Sequence, residues 1–226
     1  AHVNYYTSIG GAETKLMPDR ILYTPIGKYD TFPPNHFIDI GINDGEDFTA
    51  IESFGTKLLA FKQSTLYIID VTSPNDTEWF LESTHKGLGV DKLSAVVRTE
   101  VGICWANTNG VYLWSPSQGI INLSVKLDKD FAPLSGIANP VVGFYPPKSQ
   151  LLIVQDCTQS SDMLVYDFNT KSFTKLTAYT GAAITNMKNN VNECIWLEGN
   201  NVKKYLPTQG TTNIAFAFTT KDFDFG

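Results

Sequence analysis

Three aspartates, Asp156, Asp162 and Asp167, lie close together in the sequence. Paired carboxylates can serve as acid and base in glycoside cleavage. Their neighbours favour a plainer use. Asp156 and Asp162 flank the polar run Cys157-Thr158-Gln159-Ser160-Ser161, and Asp167-Phe168-Asn169-Thr170-Lys171 has the composition of a turn in which Asp and Asn bond their own backbone. Asn43-Asp44-Gly45-Glu46-Asp47 could offer oxygens to calcium, but it lacks the regular ligand spacing and terminal glutamate of a helix–loop–helix site and reads as a charged turn. His2, His36 and His85 are far apart, with no acid or serine at a motif spacing, so neither a triad nor a metal centre is indicated. Gly87-Leu88-Gly89-Val90 lacks the helix and Lys-Ser/Thr pair of a phosphate loop and is expected to bend the chain instead.

Cys104, Cys157 and Cys194 form no Cys-x-x-Cys pair. Cys104 and Cys194 sit in apolar runs, where a reduced thiol acts as a small hydrophobe. The expectation is a non-enzymatic chain with no catalytic residue, no cofactor and no metal ligand.

Composition narrows the class further. Hydrophobic residues make up 42% of the 226 and charged residues 18%, too apolar for a disordered chain. The net charge of −6 has the wrong sign for gripping phosphate. No apolar run is long enough for a membrane-spanning helix, and Ala1-His2-Val3-Asn4 does not resemble a signal peptide. A start without methionine points to a processed or partial chain.

The elements that must position these residues follow a period of two. Lys57 to Phe61 and Leu66 to Asp70 form one hairpin around Gln63-Ser64. Val101 to Ala106 and Val111 to Trp114 form the next, with Asn109-Gly110 expected to supply positive φ. Gln150 to Val154 pairs with Met163 to Phe168, and Cys194 to Leu197 with Val202 to Leu206. The second strands begin at Leu66, Val111, Leu164 and Val202, spacings of 45, 53 and 38 residues, close to the ~40 to 50 of a four-stranded propeller blade.

A short run with small residues precedes each hairpin: 48–51, 93–97, 141–144 and 182–184. A fourth run follows each: 79–81, 120–123, 172–176 and 215–218. Arg20 to Tyr23 and His36 to Ile40 open the chain as a degenerate extra unit. The fold expected is all-β: a β-propeller of about five four-stranded antiparallel blades, the first partial. Residues 1–226 would form one such domain of a longer chain. A two-sheet sandwich is the rival, but a four-strand repeat has no special meaning there. Trp105, Trp114, Phe61 and Trp196 are expected to pack between blades.

The order of motifs resembles the propeller domain of phage tail nozzle proteins, the tubular components of short-tailed phages, and related DNA stabilisation proteins. The likeness runs from Asp19-Arg20-Ile21-Leu22-Tyr23, Gly27 to Pro33 and Ile38-Asp39-Ile40-Gly41 through Leu58 to Lys62, His85 to Gly89 and Asn109 to Trp114. It continues in Leu164-Val165-Tyr166-Asp167 with Lys171-Ser172-Phe173, and ends with Thr219 to Gly226. The resemblance implies a virion structural protein of the tail in a hexameric ring of identical subunits. It would contact adaptor and tail fibre proteins and line a conduit for DNA ejection without binding the DNA specifically. No membrane partner is implied. An acidic surface suits that passage, because a basic one would retard the genome. The competing class is a carbohydrate-binding or glycan-cleaving propeller for host-receptor recognition, which would display exposed Trp and Tyr beside convergent carboxylates.

Overall fold

The computed structural model describes residues 2–9, 13–25, 27–28, 30–127, 136–158, 161–179, 187–188, 194–198 and 201–204. They form an all-β fold of antiparallel sheets, with only short 3-10 turns between strands. The first sheet joins β1 (His2–Ile9), β2 (Glu13–Leu22) and β3 (Phe37–Asp39). The second is the meander β4 (Phe48–Phe54), β5 (Lys57–Lys62), β6 (Thr65–Asp70) and β7 (Phe80–Lys86). The third repeats it with β8 (Val96–Arg98), β9 (Ile103–Asn107), β10 (Gly110–Ser115) and β11 (Gly119–Asn122). The fourth consists of β12 (Val141–Tyr145), β13 (Gln150–Val154), β14 (Ser161–Asp167) and β15 (Ser172–Tyr179). Last come β16 (Met187–Lys188), β17 (Cys194–Glu198) and β18 (Asn201–Lys204).

All four hairpins form, and alternation along their strands explains why the sheets stack. On β5 and β6, Leu59, Phe61, Leu66 and Ile68 face the third sheet, where Trp105, Tyr112 and Trp114 meet them. The alternate residues Ala60, Tyr67 and Ile69 join Ile21, Ile40 and Phe48 toward the first sheet. On β9 and β10 the other set, Cys104, Ala106, Val111 and Leu113, packs with Val142, Phe144, Leu151 and Ile153 of the fourth sheet. Strands buried on both faces lose the polar half of the alternation. Each buried large side chain contributes roughly 1.5 to 3 kcal/mol.

Several details depart from expectation. The strand expected at 79–81 begins at Phe80 and runs to Lys86, so the crossover starts at Gly87 rather than His85. Only Val96–Arg98 of the run at 93–97 is extended, because Leu93–Ala95 forms a 3-10 turn. The opening unit is larger than expected, since β1 pairs along β2. Asn109 does not take positive φ; only Gly110 does, at 154°. Instead Asn107 Oδ1 accepts from Asn109 N at 2.8 Å, a side-chain turn that removes the need for a left-handed residue. The runs at 182–184 and 215–218 and the segment 219–226 lie outside the described residues, as do the side chains of Trp196 and Cys194.

Candidate functional site

Asp162 lies at the Asp156 end of the fourth sheet, where Gln155 N donates to its carbonyl at 3.3 Å, while Asp167 is held apart from both. Asp156 follows β13 at one end of the fourth sheet and Asp167 ends β14 at the other. At ~3.3 Å per residue, the strand between them separates these ends by about 20 Å, far beyond the ~5 to 9.5 Å of a glycosidase pair. Asp156 is buried, and its Oδ1 accepts from Thr158 N at 2.9 Å, Thr158 Oγ1 at 2.6 Å and Asn139 Nδ2 at 3.3 Å. Asp162 Oδ2 lies 3.0 Å from Lys175 Nζ on the neighbouring strand. Asp167 Oδ1 accepts from Asn169 N at 2.8 Å and Thr170 N at 3.2 Å. The Thr170 amide, more than the opposing burial, holds the Asp167 carboxyl below its usual value.

The 43–47 turn supplies a larger surprise. Lys62, at the end of β5, is fully buried, with Nζ 2.6 Å from Asp19 Oδ1, 2.7 Å from Asp44 Oδ1 and 3.0 Å from Gly41 O. Tyr67 donates to Asp44 Oδ2 at 3.1 Å, and Asn43 N donates to Asp19 Oδ2 at 3.0 Å. The ammonium sits among the oxygens that a bound cation would seek, so the loop neutralises its acids with a residue of the chain. Burial pushes the Asp44 carboxyl up, but hydrogen bonds from Lys62 and the Glu46 amide outweigh it and leave the group below its usual range. Burial, then the bond to Asp44, raises the Tyr67 hydroxyl to about 12. Gly41, at φ 68°, is required: an added Cβ would lie 2.6 Å from both Asp44 Oδ2 and Tyr67 Oη.

His36 does find an acid, Asp76 on a distant loop, with Nδ1 3.3 Å from Oδ2. Its ring tilts against Tyr23, which meets Trp79 at 4.7 Å. His85 Nε2 lies 3.0 Å from Ser83 Oγ. Cys104 is buried, and its thiol is pushed up mainly by that burial; Cys157 is half-buried, and both are unpaired.

Two concave regions accompany these clusters. A groove of about 490 Å³ runs between β7 and β11, lined by Ile68, Leu88, Ile120 and Trp114 with Glu82 and His85. A smaller pocket of about 210 Å³ lies where three sheets meet. Its walls are the β5–β6 turn, the Gly87–Asp91 crossover, the β9–β10 turn and the lead-in to β12. Gly89 lets the crossover lie flat, since a Cβ there would be 2.3 Å from Lys62 O and 2.5 Å from Gln63 O. Asn107 Nδ2 donates to Gly87 O and Gly89 O at 3.1 and 2.8 Å, and Asn109 Nδ2 to Gly87 O at 2.9 Å.

Sequence reasoning missed the Lys62 cluster and this pocket. A signal for the first exists: a lysine ending the apolar run Leu58-Leu59-Ala60-Phe61, on a strand buried on both faces, requires counter-ions.

No protein-family model matches the chain, and no curated protein sequence does. Its structure is similar to the extracellular domain of a putative hybrid two-component system from B. thetaiotaomicron, with TM-score 0.54 and 15% identity over 93% of this chain and 26% of that one. It is also similar to the computationally designed Ika4 protein, with TM-score 0.47 and 14% identity over 71% of this chain and 91% of that one. A third is PorZ, a bacterial surface component of the type-IX secretion system of Porphyromonas gingivalis, with TM-score 0.40 and 15% identity over 95% and 26%. The chain thus spans about a quarter of the length of two of these proteins.

Proposed function

We propose that the chain is a non-enzymatic structural domain: a β-propeller of about five blades in which each meander is one blade. What supports the blade reading is the succession of sheets in chain order, with each of the first three sharing a core with the next. The structural role rests on one observation: every acid singled out as a possible catalyst is engaged in a turn or an ion pair. The glycan reading has less support, because every described Trp and Tyr side chain is buried or half-buried, and the exposed aromatic rings among the described residues are the phenylalanines Phe32 and Phe80.

The assembly proposed is the phage tail nozzle, a reading carried by the motif order alone. The domain would sit in a ring of identical subunits between adaptor and tail fibres, in the virion tail, beside a DNA conduit. Its charge of −6 is consistent with passage rather than retention. Gold-labelled antibody against this domain should decorate the tail of virions that encode it. Intact, tail-bearing virions without tail label would overturn the assembly. Polysaccharide turnover by the purified domain, lost in Asp156→Asn or Asp167→Asn, would overturn the non-enzymatic role.

A further inference from the structure

We infer that the 210 Å³ pocket at the meeting of the second, third and fourth sheets receives an ammonium or guanidinium head on a slender aliphatic stem. This inference does not depend on the tail reading.

Size is the first constraint. The pocket is smaller than the ~300 Å³ at which sites for drug-sized ligands begin. At ~30 Å³ per water it holds about seven waters, room for a single long side chain or a molecule of that bulk.

The lining sets the charge. No basic side chain contributes to it, and Asp91 is the ionisable residue among its walls. Asp91 is exposed, and no described residue hydrogen-bonds or ion-pairs with its carboxylate. A second carboxylate borders the pocket: Glu46 Oε2 accepts from the amide of Ser64, a wall residue, at 3.0 Å. One ammonium stands nearby, Lys92, whose Nζ donates to Asn139 Oδ1 at 3.2 Å between the wall residues Ala138 and Pro140. Against it stand two carboxylates on a chain already at −6, so the balance disfavours an anionic ligand.

Shape excludes a further class. No aromatic ring lines the pocket, so a sugar or nucleobase would have nothing to stack on, whereas Val90, Ala106, Ala138 and Pro140 offer an apolar wall to an aliphatic stem. The walls are pre-formed, because the asparagine amides and Gly89 fix the crossover against both turns. Pre-formed walls lower the cost of ordering the site on binding.

One head group has two sources, a free amine or a residue of a partner protein, and titration of the labelled protein followed by amide NMR separates them. The probes are agmatine and an acetylated, amidated Gly-Arg-Gly peptide, with the citrulline peptide as the neutral control. The expected result is saturable shifts at Ser64, Gly87 and Asn107 to Asn109, with the citrulline peptide inert. Asp91→Asn should weaken binding about fivefold, the scale of an exposed charge pair, and Ala138→Phe should block the pocket without changing charge. Glu100→Gln, between β8 and β9 at the other end of the third sheet, should change nothing. Saturation by agmatine alone assigns the site to a free amine, and equal saturation by the peptide assigns it to a partner's side chain. Binding weakened equally by Glu100→Gln, untouched by Ala138→Phe in a folded protein, or absent for both cationic probes would overturn the inference.

Discussion

The second sheet meets its two neighbours through opposite chemistry. Toward the third sheet the contact is aromatic: the Phe61 and Trp105 rings lie 5.4 Å apart at 65°, Trp105 stacks on Tyr112 at 5.5 Å, and Phe54 meets Trp114 edge-on at 6.4 Å. Toward the first sheet the same strand places a buried ammonium between two carboxylates, with Phe48 and Tyr67 beside it. The aromatic contact tolerates approximate geometry, because dispersion and area burial act in every direction. The ionic one does not, because a buried charge is stabilised only when each partner is in place. Both junctions bury apolar side chains, but the ionic one also specifies which loop docks where.

Removing the aromatic anchor should have the largest effect. Trp105→Ala is expected to cost about 3 to 5 kcal/mol in denaturant unfolding, whereas a cost within ~0.5 kcal/mol, as at a surface site, would break the comparison. Trp105 Nε1 is buried without a partner among the described residues, so Trp105→Phe sheds an orphan donor and should cost much less.

Lys62→Met should come next, at about 2 to 4 kcal/mol, somewhat below the range for a fully buried pair because Asp19 and Asp44 keep 17% and 29% of their side chains exposed. Most of that loss should return when Asp19→Asn and Asp44→Asn are added. Failure to recover would show that the loss comes from the ammonium's hydrogen bond to Gly41 O rather than from leaving two carboxylates unpaired.

Acid should attack the ionic junction before the aromatic one. Asp44 has a folded value below its unfolded one, so its contribution is complete above the ordinary carboxylate range and fades as pH falls through it. Unfolding from pH 7 down to about 3 should show a smaller acid loss in Asp44→Asn than in the native sequence. Asp70, held near 2 chiefly by Lys57, loses its contribution as pH falls from the ordinary carboxylate value toward 2, but equally in both proteins, so it drops out of the difference.

The smallest effect is spectroscopic. Tyr67, raised to about 12, favours the folded state below its ordinary value, and that contribution is lost as pH rises through 12. In an ultraviolet titration Asp44→Asn should bring this tyrosine down toward the others. An unchanged curve would mean that burial alone sets it.

Much of the fold was legible because it is written locally. Leu58-Leu59-Ala60-Phe61 and Gly102-Ile103-Cys104-Trp105 are strand-like wherever they stand, and Asp167 to Lys171 turns through its own side chains. The misplaced edges share a cause. Leu93–Ala95 and Trp79 have the composition of a strand, yet whether they extend depends on a partner strand within hydrogen-bonding distance, which no local pattern encodes.

The candidate sites divide along the same line. Local chemistry identified Asp167 as a turn residue, because the amides it binds are two and three positions away. It could not join Lys62 to Asp19 or His36 to Asp76, which lie 43 and 40 residues apart and meet only because whole sheets pack. The pocket is a further step removed, since its walls come from three sheets and a crossover. Alternation and turn chemistry were determined by the sequence itself, through interactions a few residues long. Which charges meet, and what space is left between the turns, was decided only when the sheets packed.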